Sequence, residues 1–337
     1  MHHHGAGHAN RTRLLAAGLP AEVPVHVFTS SADAFADWER GTVHPLPPDT
    51  EADRDPARDL LADRILHYAP VDMPGLQQRM AILSAFIAAE SPALFVVDLS
   101  VEVALFTRLC GARTALMRLH GLRDDPAHLA AFGLADRLLA PFPAALEDAH
   151  TPDWIREKTT YLGAFSRYDG RRESRGEARA QLDLSATERV VTVITGRGGG
   201  AQVSSGWGAI AAATPAWTFL LVGEFTALGA PPPNLRAAAL QSDTFPYLRA
   251  ADVVVGSGGT NTMFEIGAAR VPYLSVPEPR PFDEQLYKVR ALERLGLTRV
   301  LTDLPPPEQW AGLLEAARNQ PTTGWDGLFA TPAARLI

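Results

Sequence analysis

Short apolar runs recur along the whole chain, each followed by a longer stretch with helical spacing, and this alternation is what parallel α/β folds require. Residues 23–28 (VPVHVF) read as a strand, 76–90 as an amphipathic helix, 93–98 (ALFVVD) as a buried strand and 101–110 as a helix. Strands at 113–119 (RTALMRL) and 136–140 (DRLLA) complete this array. A second array opens with 158–162 and continues through 189–195 (RVVTVIT), 217–222 (WTFLLV), 251–255 (ADVVV) and 272–276 (PYLSV). Two arrays in tandem over 337 residues predict two doubly wound domains meeting near residue 160. Residues 168–186, polar and arginine-rich, predict a solvated loop with a helical turn or two, and 310–318 an amphipathic helix packed on a domain.

The net charge of -7 excludes the basic footprint of a nucleic-acid binder. The single cysteine, Cys110, excludes a disulfide framework, fits a reducing compartment and is expected as a buried thiol. No run reaches the ~18 apolar residues of a membrane span, and the N-terminus lacks the layout of a signal peptide. A cytoplasmic protein is expected. The chain opens with His2, His3 and His4, read as native.

Three motifs carry chemistry. GAGHANR at residues 5–11 leads into a helical pattern from Thr12, placing His8 at the start of that helix as a candidate general base. Asn10 stands where a dinucleotide fingerprint needs its third glycine. Such a turn follows a strand, yet only four residues precede Gly5; either the first strand is missing from this sequence or the chain starts too late. The second motif, TGRGGGA at 195–201, follows a strand directly, and Gly196, Gly198 and Gly199 leave backbone bare for an anion.

The third motif is the most specific: ADVVVGSGGTNTMFE at 251–265. A strand runs into Ser257, Gly258 and Gly259, and a helix starts at Thr260 or Asn261 with N–H groups for a phosphate. Glu265, about one turn in, suits the two hydroxyls of a ribose; by itself it reads more safely as a charge complementing the helix dipole, and the downstream context shifts the balance to the ribose. Downstream, Asp283, Glu284 and Gln285 open another helix with the acceptors and amide donor that read sugar hydroxyls, although Asp283 also fits a plain helix cap.

These C-terminal stretches, ADVVVGSGGTNTMFE, ARVPYLSVP and DEQ, resemble the C-terminal half of family 28 glycosyltransferases, which include the N-acetylglucosaminyltransferase of peptidoglycan synthesis. GAGH is similar to the family's Gly-Gly-His turn, and GAFSR at 163–167 to its G-N-P-V-R. The resemblance implies a GT-B fold: an acceptor-side Rossmann-like domain over 1–160 and a nucleotide-sugar domain over 161–320 facing it across a cleft. A segment over 321–337 would be placed to cross back to the first domain. It implies an inverting, metal-independent hexosyltransferase using a UDP-linked sugar, N-acetylglucosamine among the candidates, and a small-molecule or lipid-linked acceptor.

In that picture Arg167 and the 196–200 loop neutralise the diphosphate, Glu265 grips the ribose, and Asp283 and Gln285 hold the sugar. Phe245 lies by the nucleobase or, equally, in the core. His8 and Asp98 serve the acceptor side, with 117–124 (MRLHGLRD) as an acceptor loop. No D-x-D and no His/Asp cluster with metal spacing is visible, so no metal and no cofactor besides the nucleotide sugar is expected. Departures from the family pattern are Lys288 and Val289 where an Asn-Ala pair is common, the missing Asn-Pro in GAFSR, and Arg270 before Val-Pro. A GT-B epimerase or hydrolase, a non-catalytic nucleotide-sugar binder and a nicotinamide oxidoreductase stand as alternatives.

Overall fold

The structure, a computed structural model, describes residues 7–50, 65–195, 206–225 and 230–329. The chain falls into two compact units, one holding residues up to 144 with 149–163, the other 145–148 with 164–329.

In the first unit the elements are α1 (Gly7–Ala17), β1 (His26–Thr29), β2 (Thr42–Pro45), α2 (Pro74–Glu90), β3 (Phe95–Val97) and α3 (Val101–Leu109). There follow β4 (Thr114–Met117), α4 (Pro126–Leu134), β5 (Arg137–Ala140), α5 (Asp153–Lys158) and β6 (Thr159–Tyr161). All strand pairs are parallel, yet they form two sheets, β1-β2 and β3-β4-β5-β6. Among the described residues no strand precedes α1. The helix begins at Gly7, five residues ahead of the predicted Thr12, so His8 lies in its first turn. Cys110, expected to be enclosed, caps the C-terminus of α3 and is partly exposed, because α3 turns that end outward beside the exposed Leu109. The core is built on Val97, Val101, Leu116, Phe132, Leu138 and Ile155.

The second unit contains α6 (Arg175–Gln181), β7 (Val190–Ile194), α7 (Trp207–Ala213), β8 (Thr218–Val222), β9 (Leu235–Ala238) and α8 (Phe245–Ala250). It continues with β10 (Val253–Gly256), α9 (Thr260–Ala269), β11 (Tyr273–Ser275), α10 (Glu284–Arg294), β12 (Arg299–Val300) and α11 (Trp310–Arg318). One parallel sheet runs β12-β11-β10-β7-β8-β9. Its central strands read VVTVI and VVVG and are buried along their whole length, as a sheet covered on both faces demands. Trp207 and Trp310 meet edge to face at 5.1 Å beneath the sheet, in the core that α11 closes. A 3-10 turn at Thr323–Trp325 buries Trp325 against Gly267 of α9, where an added Cβ would lie 2.4 Å from the ring. Residues 330–337 lie outside the described residues, and 321–329 remain with this second unit.

Among the described residues no helix is long and apolar enough to cross a membrane.

Candidate functional site

The strand order places side by side the two strands that lead into the glycine-rich motifs. From β7 the chain moves to β8 on one side, whereas β10 pairs with β7 on the other, so the order reverses between them. Ligands of open α/β sheets bind outside the carboxyl ends of strands at such a reversal. Ile194, the last residue of β7, is in register with Gly256, the last of β10. The loop with Gly196, Gly198 and Gly199 follows the first; it lies outside the described residues. Ser257, Gly258 and Gly259 follow the second and deliver the chain into α9, whose N-cap Gly259 offers no side-chain cap. The first-turn amides of that helix therefore present partial positive charge with no protein side chain capping them from Gly259.

Around that loop the polar side chains hold one another. Gln285 is buried, and its Oε1 accepts from the backbone N–H of Gly258 at 3.0 Å and of Glu278 at 2.9 Å. The amide expected to read a sugar is thus engaged in fixing the loop's shape. Gly258 has no room for a side chain: a Cβ would sit 2.8 Å from Val289 and 2.9 Å from the Gln285 carbonyl. Ser257 is buried, with its Oγ 3.4 Å from the Gly259 N–H. The Lys288 ammonium, 1% exposed, donates to Thr260 Oγ1 at 2.8 Å and pairs with Glu284 at 3.0 Å. Sequence reading noted Lys288 only as a departure from a family pattern; its proximity to the α9 N-terminus is new. Asp283 is exposed, has φ of 50°, and its side chain makes no cap bond to α10.

Glu265 stands in the second turn of α9, buried, with Arg167 Nε 2.9 Å from its Oε1. Thr244 Oγ1, which accepts or donates with the Tyr168 hydroxyl at 2.9 Å, lies 3.4 Å from Oε2. Burial pushes the Glu265 carboxyl above its ordinary range, and the Arg167 charge opposes that shift without cancelling it. Arg167 also donates to the Ser242 carbonyl at 2.7 Å and covers the Tyr168 ring at 4.7 Å. Phe245 takes the core placement that the sequence left equally open. Its ring is 1% exposed and packed edge-on to Tyr168 at 5.2 Å, because the short α8 turns its first residue into the core.

In the first unit His8 and Asp98, 90 residues apart, meet: His8 Nδ1 lies 2.7 Å from Asp98 Oδ2. Arg11, three residues along the same helix face, donates to both carboxylate oxygens at 2.7 and 2.9 Å. Burial alone would raise Asp98, but the Arg11 charge and the bonds from His8 and Arg11 hold it well below the usual carboxylate range. Asp98 leaves the end of β3, and Leu99 takes a φ of 79° before Ser100 caps α3. The spacing of His8 and Arg11 was visible in the sequence; that both reach Asp98 was not. In the 117–124 loop, Arg118 and His120 are buried, and His120 packs on Phe142 at 3.8 Å. The fold also gathers His67, Asp125 and His128, a His/Asp cluster that spacing could not reveal, its first two members standing 58 positions apart.

Residues 224–316 match the glycosyltransferase family 28 C-terminal domain. Over nearly the whole chain the structure is similar to MurG of Acinetobacter baumannii, with a TM-score of 0.64 at 14% identity, covering 98% of this chain and 91% of that one. It is likewise similar to Arabidopsis thaliana UGT89C1, solved in complex with UDP, with a TM-score of 0.66 at 12% identity, covering 96% and 90%. The fold is GT-B. An uncharacterized glycosyltransferase of Methanosarcina acetivorans is 36% identical over 81 residues, 24% of this chain. That match spans 21% of the relative's length, about a fifth. Within the matched residues lie β10, α9 and α10, with Glu265, Gln285 and Lys288.

Proposed function

We propose that this chain is an inverting glycosyltransferase that needs no metal for transfer and moves a sugar from a nucleotide-diphosphate donor, read as UDP-linked, to an acceptor hydroxyl. The observation that carries the proposal is the register of Ile194 with Gly256, the neighbouring ends of the two strands that lead into the glycine-rich motifs, where the sheet order reverses. The family 28 match over the same region supports it.

In this reading the diphosphate sits on the α9 amides, with Arg167 and the 196–200 loop as further donors. Glu265 accepts from the ribose hydroxyls. Arg167 and Glu265 are paired with each other in the structure, so the donor must share or exchange that ion pair as it enters. His8, whose Nδ1 is engaged with Asp98, takes the acceptor proton through its other ring nitrogen. The acceptor oxygen then attacks the anomeric carbon with inversion, and the C–O bond to the nucleotide diphosphate breaks as charge flows onto the diphosphate. Each well-placed donor to that leaving group is worth about 2.7–4 kcal/mol. Asp283 borders the donor sugar, N-acetylglucosamine being the first sugar to try; the acceptor is a small-molecule or lipid-linked hydroxyl, and the site of action the cytoplasm.

Titration with UDP, dTDP, GDP, ADP and NAD by calorimetry tests the donor. Selective binding of UDP supports the reading, and dTDP alone would move the donor to thymidine-linked sugars. Binding of NAD alone would overturn it. Consumption of a nucleotide sugar with no acceptor present would replace transfer by epimerisation or hydrolysis.

A further inference from the structure

His67 follows a stretch outside the described residues and is tied to α3: Glu102 Oε1 accepts from the backbone N–H of His67 at 2.8 Å and of Tyr68 at 3.0 Å. Asp125 is the N-cap of α4 and accepts from the His128 N–H at 3.1 Å. The two segments meet through side chains. His67 Nε2 lies 2.7 Å from Asp125 Oδ1, and His128 Nδ1 lies 2.6 Å from Asp125 Oδ2. The imidazole rings are 4.5 Å apart, and the three ligand-type atoms lie within 4.8 Å of one another.

We propose that His67, Asp125 and His128 bind one divalent transition-metal ion of the zinc class, which staples residues 65–68 to the N-terminus of α4. Two imidazoles and a carboxylate are a donor set that zinc accepts, with water completing the sphere. Tetrahedral bonds of about 2.0–2.1 Å put neighbouring donor atoms roughly 3.3 Å apart, so the cluster needs to open by about 0.6–0.7 Å at each contact. The ion would replace the two hydrogen bonds with coordinate bonds from the two imidazole nitrogens and a carboxylate oxygen.

One group opposes. Arg123 Nη1 lies 2.9 Å from His128 Nε2 and is anchored by its Nε on the His120 carbonyl at 3.2 Å. Coordination through Nδ1 moves the ring proton to Nε2, where it faces a donor rather than an acceptor. Arg123 must therefore turn aside, and a glutamine in its place can accept from that Nε2–H.

The test uses the full chain with His2→Gln, His3→Gln and His4→Gln, since those histidines bind metals of the same class. After treatment with EDTA the protein is titrated with Co²⁺, followed by its visible absorption, and with Zn²⁺ by calorimetry. One ion per chain is expected, with a higher melting temperature. Affinity should fall by about tenfold or more in His67→Ala and in His128→Gln, and Arg123→Gln should bind more tightly than the parent. Circular dichroism of the metal-free variants shows that each is folded before its titration is read. Absence of stoichiometric binding, or binding equal in parent, His67→Ala and His128→Gln, would overturn the proposal.

Discussion

Each unit contains a buried carboxylate paired with an arginine, and the two pairs behave in opposite ways. The Asp98 and Glu265 side chains are equally enclosed, each 10% exposed. Arg11 is itself 8% exposed, meets both oxygens of Asp98 and shares one of them with His8. Arg167 is 42% exposed and also serves the Ser242 carbonyl, with one close contact to Glu265 at 2.9 Å and a longer one at 3.5 Å. Asp98 is consequently pulled down and Glu265 pushed up. Enclosure sets the penalty for a charge; how completely the partner is itself enclosed and aligned decides whether the penalty is overcome. A tightly closed pair is suited to holding a histidine in place, and a loosely closed pair to opening for a ligand.

The largest expected effect lies on the closed pair. His8→Ala should lower turnover by about 10²–10⁴-fold with donor affinity retained, measured at saturating donor and acceptor. Near-normal turnover would remove His8 from the role of base. Arg11→Met leaves the Asp98 charge buried with His8 alone and should cost about 3–5 kcal/mol in denaturant unfolding. The pH dependence follows the same pair. Because the folded pKa of Asp98 is depressed, its contribution to stability is present above the unfolded carboxyl value of about 3.9 and is lost as pH falls below it. That acid loss should shrink in Arg11→Met.

The open pair gives smaller effects of opposite sign. Glu265→Gln should weaken UDP binding roughly tenfold to a hundredfold, the worth of a charged hydrogen bond of about 1.5–3 kcal/mol. Since the native pKa of Glu265 is raised, its contribution to stability is full below the ordinary carboxyl range and declines as pH rises through the raised value. UDP affinity moves the other way: it should fall in mildly acidic buffer as the carboxylate protonates, and Glu265→Gln should flatten that dependence. A parent whose affinity is independent of pH would mean that Glu265 does not accept from the ligand. Last, Gly267→Ala drives a methyl into Trp325 and should destabilise the second unit by about 1–3 kcal/mol without touching either pair.

What could be read from the sequence was local. The run from Val253 through Glu265 shows strand, turn and helix because β-branched residues, glycines and a helical period succeed one another within a few residues. The start of α1 was misplaced because glycine is a poor helix former, and Gly7 enters the helix nonetheless. For Phe245 and Gln285 the limit is of another kind: residue type states what a side chain can bond, and only the fold states what has already taken that capacity. Gln285 has given its carbonyl to two backbone amides, and Phe245 its faces to the core. Arg11 with Asp98, and His67 with Asp125, are pairings across 87 and 58 residues, and no spacing rule reaches that far.

Lys288 and Glu284 have a consequence for descent. A buried ammonium whose carboxylate partner is lost is among the costlier defects a core can carry, about 3–5 kcal/mol, and Glu284 is the only carboxylate paired with Lys288 among the described residues. Neither residue is free to drift by itself. In related sequences the two positions are expected to change together, with a neutral residue at 288 accompanied by loss of the acid at 284.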